Sequence, residues 1–158
     1  MVGGIAGAGV AAIIIAAAAI VQPWEGRELK AYRDIVGVLT ICDGDTNNVR
    51  PGQVATNAEC DARLYANLTR YRAELRKCLV ADLPVKTEAA FVSWVYNVGW
   101  GAACHGGAGG RPAQVVLKAN AGDLAGACDA LLAWTRRAAA WCRGWPTAAP
   151  PSAGIASP

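Results

Sequence analysis

Residues Val2 to Val21 carry no charged or strongly polar side chain. Such a stretch must leave water, and about 20 apolar residues are what a helix needs to cross a bilayer core. The stretch is richer in Ala and Gly than in Leu, with Gly3, Gly4, Gly7 and Gly9 early and Ala16 to Ala19 late. Small side chains contribute little transfer free energy each, so the segment inserts weakly. Three fates fit it: a cleaved signal peptide, a permanent anchor, or an anchor weak enough to leave the membrane. No Lys or Arg precedes the apolar run, so the usual positive flank is missing; the first charges, Glu25, Arg27, Glu28 and Lys30, follow it. Residues 1–22 are therefore set apart as a targeting segment.

The remaining chain is long enough for one domain, since the whole has 158 residues. A net charge of +3 is too small to argue for nucleic acid, and it suits an anionic polymer surface. Six Cys in so short a chain point to an oxidising compartment. None of them lies at zinc spacing with the single histidine, His105, so no metal or other cofactor is expected.

Local patterns predict an α+β fold. Gln22 and Pro23 are expected to end the apolar helix, with a short helical turn at Trp24 to Leu29. Ala31 to Asp45 mixes β-branched residues with glycines and reads as a small hairpin or three-stranded sheet. Thr56-Asn57-Ala58-Glu59 is a capping box. Leu64, Leu68, Tyr71 and Leu75 then mark one face of a long helix ending near Cys78. A second helix is expected over Thr87 to Val98, stopped by Gly99. A glycine-rich loop, Gly99 to Gly110, should follow. Pro112 opens a third helix, and Asp123 caps a fourth running to Arg136. From Arg137 onward prolines and small residues without periodicity predict a disordered end.

The chemistry concentrates in WEGRELKAYRDIVGVLTICDGDT, Trp24 to Thr46. Glu25 and Asp34 are two carboxyls close in sequence, and Thr40 adds a hydroxyl. Two carboxyls in unlike surroundings are what cleavage of a glycosidic bond requires. Glu25 is the candidate general acid, and burial beside Trp24 would raise its pKa. Asp34 is the candidate for orienting or deprotonating a water, or for stabilising positive charge on the sugar ring; as a bland alternative it caps turn N–H groups. Thr40 would hold the same water, or be a plain strand residue. Gly37 and Gly44 read as positional glycines.

With FVSWVYNVGWGAAC (Phe91 to Cys104) and NAGDLAGACDALLAWTR (Asn120 to Arg136), this string resembles the phage lysozymes of glycoside hydrolase family 24, closest to endolysins with a signal-anchor-release segment. The resemblance implies a lysozyme-like fold: a small β-sheet lobe and a helical lobe joined by a long helix, preceded by an apolar helix. It places the catalytic domain at 23–136. It implies a muramidase that cuts the β-1,4 bond between N-acetylmuramic acid and N-acetylglucosamine for host lysis. The partners would be peptidoglycan and the inner membrane, with the monomeric enzyme tethered there and then periplasmic. Glu25, Asp34 and Thr40 match the family's catalytic triad, and Asn97 and Gly99 its cleft. Trp100 is a candidate sugar-stacking residue, with core packing as the alternative. Asp45 departs from the His common at that position. Cys42–Cys60 and Cys78–Cys104 are proposed disulfides out of fifteen connectivities for six Cys, and the redox state of Cys42 would bear on the site. The tail, 137–158, lacks the family's final Gly-Leu-x-x-Arg-Arg helix, and a frameshift is one origin for it. A lytic transglycosylase and a catalytically impaired, membrane-tethered wall-binding protein are the competing readings.

Overall fold

The computed structural model describes residues 3–143, without the side chains of residues 3–8 and Trp24. Helix α1 (Gly3–Glu25) leads into a hairpin of β1 (Glu28–Arg33) and β2 (Leu39–Cys42). Helices α2 (Asn57–Leu75), α3 (Val85–Val98), α4 (Trp100–His105), α5 (Gln114–Asn120), α6 (Leu124–Leu131) and α7 (Arg136–Cys142) follow, with one 3-10 turn at Ala108–Gly110.

The apolar segment is a helix, and its burial is internal. Ile13, Ile14, Ala17, Ala18, Ile20 and Val21 recur at helical spacing and are all buried. They pack chiefly on α3, where Ala89 and Ala90 are fully buried. Small residues on both faces let the two backbones approach closely. Among the described residues no helix is long and apolar enough to cross a membrane. The expectation of a bilayer-spanning segment is thus met by a different placement, in the protein's own core. The helix also runs past its expected end, through Pro23 to Glu25. Proline removes the N–H that would reach back one turn. Next to the carbonyl that Pro23 leaves without its helical donor, Arg137 of α7 donates to the Ile20 carbonyl (3.0 Å).

The sheet has two strands, antiparallel, with Tyr32 opposite Thr40 and Arg33 opposite Leu39. Isolated bridges from Lys30 to Val54 and from Ile41 to Asp45 widen it locally. The turn is organised by Asp34: its Oδ1 accepts from the N–H of Val36 (3.0 Å) and of Val38 (2.9 Å). Gly37 supplies the left-handed residue at φ 83°.

Helix α2 starts where the capping box predicts, with Thr56 accepting from the Glu59 N–H and Glu59 accepting from the Thr56 N–H. Leu64, Leu68 and Leu75 face the core. Glu88 on α3 is 2% exposed and takes hydrogen bonds from Arg72 on α2 and from Arg76 at that helix's C-cap, so a buried carboxylate is paired twice.

Two stretches expected to be irregular are helical. The glycine-rich loop contains α4, because Gly99 at φ 82° ends α3 and lets a new helix begin within WGAACH. The end expected to be disordered from Arg137 begins with α7. Thr135 caps it, and the run RRAAAWC has high helix propensity but is too short to show a period. Ala138 and Ala139 are buried against α3. Helix α6 accordingly stops at Leu131 rather than Arg136, and α5 starts at Gln114, after Pro112. One apolar cluster runs from Ile13 to Cys142. The rest of the tail and the frameshift reading lie outside the described residues.

Three disulfides are present: Cys42–Cys60, Cys78–Cys104 and Cys128–Cys142. The first two are the pairs proposed from the sequence; the third ties α6 to α7. It closes a loop with a sequence separation of 14. Replacing Cys128 and Cys142 together by Ser is expected to lower stability by about 3 kcal/mol, the loop-entropy value for that length. Denaturant unfolding under non-reducing conditions measures it.

Candidate active site

Glu25 is the last residue of α1, at the junction of hairpin and helices. It opens into a cavity of about 210 Å³ lined with Gly44, Asp45, Thr46, Asn47, Asn67, Tyr71, Tyr96 and Asn97. Gly44 lies close to it: a Cβ at that position would stand 3.4 Å from Glu25 Oε2. At φ 82° Gly44 also holds a conformation that other residues resist, so the glycine serves both turn and approach.

Burial raises the Glu25 pKa above the ordinary carboxylate value, Arg137 pulls it back down and Asp43 pushes it up. The expected helper, Trp24, has its side chain outside the described residues. Asp43 is buried and fixed by Arg27, which donates from Nε (3.2 Å) and Nη2 (2.8 Å) to its two oxygens. Arg27 Nη2 also reaches Asp61 on α2 (2.7 Å). Tyr96 donates its hydroxyl to the Asp43 carbonyl. Burial and then the Glu25, Asp43 and Asp45 charges push the Tyr96 pKa up, so its phenol stays a neutral donor.

Asp34 and Thr40 sit on the hairpin and not among the residues lining that cavity. They meet the backbone of one residue: Asp34 accepts from the Val38 N–H, and Thr40 Oγ1 donates to the Val38 carbonyl (3.0 Å). Thr40 is buried and Asp34 half-buried. Asn97 does line the Glu25 cavity, and its Nδ2 donates to the Ser93 carbonyl one turn back (3.2 Å). Trp100 faces the adjoining cavity of about 680 Å³, with Arg70, Tyr71, Glu74, Lys77, Gly99 and Gly101. Its ring meets His105 edge-on. Among the described residues no cluster of His, Cys, Asp or Glu could hold a metal.

Several residues of this site escaped the sequence reading. Arg137 comes from the stretch read as tail. Arg27 and Asp43 are far apart in chain and gave no spacing signal. Asn67 lies one turn before Tyr71 on α2, and that spacing is the signal that could have found it.

The phage lysozyme family matches residues 22–145. The chain belongs to that family. It is 39% identical over 130 residues to the SAR-endolysin of Bacteriophage PS119, covering 78% of this chain and 74% of that one. It is 31% identical over 125 residues to the SAR-endolysin of Pseudomonas phage phiKMV, covering 79% and 73%. In fold it is similar to the muramidase domain of SpmX from Asticaccaulis excentricus (TM-score 0.69, 23% identity, 81% of this chain and 92% of that one). It is similar too to the active form of the P1 phage endolysin Lyz (TM-score 0.67, 20% identity, 81% and 79%). This phage lysozyme is therefore a glycoside hydrolase of lysozyme-like fold, with Glu25 in the cleft between hairpin and helical lobe.

A raised Glu25 pKa has a sign for stability. The folded state holds the proton more tightly than the unfolded chain does, so the stabilising contribution is complete below the ordinary carboxyl value of 4.5. It is lost as pH rises from there through the folded value. Glu25→Gln removes this dependence. Relative to the unsubstituted protein, the variant is expected to gain stability with rising pH across that window and then level off. Thermal melts from pH 4 to 8 check it, and a constant difference would contradict the raised pKa.

Proposed function

We propose that this lysozyme is an endolysin muramidase acting on the β-1,4 bond between N-acetylmuramic acid and N-acetylglucosamine in peptidoglycan. The observation that carries the reading is a half-buried carboxyl with a raised pKa, Glu25, at the wall of a polar cleft. A carboxylic acid that keeps its proton near neutral pH can give it to the departing sugar oxygen. Asp34, held in the hairpin turn by the Val36 and Val38 N–H groups, is the second carboxylate of this reading. It activates a water or stabilises positive charge on the ring. Thr40, linked to Asp34 through the backbone of Val38, holds that water. Asn97 and Trp100 bind the sugar chain.

The N-terminal segment serves first as the tether to the inner membrane. Its release into the periplasm gives the state in which α1 lies in the core. Three disulfides suit that oxidising compartment. The enzyme works as a monomer, without a cofactor. Residues 1–22 form the signal-anchor-release segment, 23–136 the catalytic domain and 137–158 its atypical continuation.

Clearing of purified peptidoglycan tests the activity. Glu25→Gln is expected to abolish it, and Asp34→Asn to reduce it by about a hundredfold or more, the usual size of an acid–base contribution. Products ending in free reducing sugars mark a hydrolase; anhydro-sugar ends would mark a transglycosylase instead. Arg137→Ala is expected to raise the Glu25 pKa further, because Arg137 lowers it. The alkaline limb of the rate profile should move upward, and a downward move would contradict the assignment.

A further inference from the structure

The segment Cys42 to Gly44 runs close to the Glu25 carboxyl, and it is restrained from several sides. Cys42 has a left-handed backbone at φ 60°, which a residue with a side chain resists. Such a conformation persists where the surroundings over-determine it. Here the disulfide to Cys60 on α2 holds it from one side. Gly44 follows at φ 82°, in contact range of Glu25 Oε2.

Asp43, between them, carries the other restraints. It is 3% exposed. Its carboxylate is met by two nitrogens of Arg27, and its carbonyl accepts from the Tyr96 hydroxyl of α3. Arg27 uses its other contacts on α2: Nη1 donates to the Asn57 carbonyl (3.2 Å) and Oδ1 (3.3 Å), and Nη2 to Asp61 (2.7 Å). Asp61 also accepts from Gln22 Nε2 (3.3 Å), one turn before Glu25 on α1. Hydrogen bonds thus run without a gap from Tyr96 on α3, through Asp43, Arg27 and Asp61, to the helix that ends in the acid. An apolar pair of similar volume could fill the place of Arg27 and Asp43 without the cost of removing two charges from water. It could not fix the backbone on both sides of Gly44, nor join that backbone to α1.

We propose that Asp43 is a positioning residue for the general acid: clamped by Arg27 and Tyr96, it holds Gly44 against the Glu25 carboxyl and keeps that carboxyl half-buried. The inference rests on Glu25 being the acid of the proposed reaction. Asp43 acts by charge as well as by packing, since its anion raises the Glu25 pKa while Arg137 of α7 lowers it. Also facing Glu25 across the cavity are Asp45, kept ionised by Arg63, with Tyr71 of α2 and Tyr96 of α3. Tyr96 keeps its proton well past neutral pH, so Tyr96→Phe removes one donor without changing a charge.

Full-length Tyr96→Phe and Asp43→Asn proteins are compared with the unsubstituted protein in two measurements. One is the titration of the Glu25 side-chain carboxyl by carbon-13 NMR; the other is steady-state hydrolysis of soluble peptidoglycan fragments across pH. Tyr96→Phe should lower kcat by about tenfold on the plateau of its pH profile, with KM nearly unchanged, because a slackened loop misplaces the acid and leaves binding intact. Asp43→Asn should lower the Glu25 midpoint, since it removes a negative charge that raises it, and the alkaline limb of the rate profile should move to lower pH. Tyr96→Phe should shift the midpoint the same way by a smaller amount, through greater exposure to water. An unmoved midpoint in Asp43→Asn, or an unchanged kcat in Tyr96→Phe, would overturn the proposal. Should Asp43→Asn fail to fold, Tyr96→Phe, which keeps the ring, decides. Clearing of peptidoglycan by Glu25→Gln protein would sink the general-acid reading, whereas the titration tests the clamp by itself.

Discussion

The burial of α1 against α3 sets the position of Glu25. One face of that helix, from Ile13 through Val21, lies in the core, and the helix ends at Glu25. A rigid helix transmits the register of its buried face to its last residue. Displacing α1 would therefore move Glu25 away from Gly44 and the cavity, whatever happened to the hairpin. The same composition that makes the segment a weak membrane helix makes it a good core helix. Alanines contribute little to insertion in lipid, yet they permit close packing against Ala89 and Ala90. A Leu-rich segment would favour lipid more strongly and fit this narrow space less well.

Around that fixed point the charges are arranged in opposition. Asp43 raises the Glu25 pKa, while Arg137 lowers it. Asp43 can remain buried and charged because Arg27 meets both its oxygens, and Arg27 is in turn held by Asp61. Arg137 is itself half-buried, and burial lowers its pKa while Glu25 sustains its charge. The proton affinity of the acid is thus a balance between a two-residue clamp on the hairpin side and a single cation from α7. That cation also binds the last turn of α1, so one side chain ties the acid's helix and the acid's charge to the C-terminal helix.

Much of this architecture was legible in the residues. The capping box, the leucine stripe of α2 and the Asp34 turn each rest on local chemistry, and each appears where its pattern lies. Two of the three disulfide pairs were also named in advance. What could not be read depended on contacts distant in sequence. The seven residues of α7 are shorter than any period can reveal, and its packing partner lies on α3. The continuation of α1 through Pro23 was hidden because proline usually argues for a break, whereas here the last turn is held from α7. At the site, Glu25 and Asn97 do share a cavity, while Trp100 faces the neighbouring one and Asp34 and Thr40 stand on the hairpin. Their link through Val38 is a matter of backbone geometry that spacing alone does not express.

Asp45 shows how a local departure is absorbed. A carboxylate added beside the half-buried Glu25 would seem unfavourable, since neighbouring negative charges raise each other's pKa. Four donors neutralise that problem by binding the anion more strongly than burial penalises it, which is why its pKa falls. Arg63 is the only full charge among them, and it comes from α2. The remaining donors are amides of the chain's own loop and of Asn67. The cost of ionising position 45 is therefore carried by groups that also line the cleft. The anion's presence becomes a means of ordering the neutral side chains of Asn47 and Asn67 on the cavity wall.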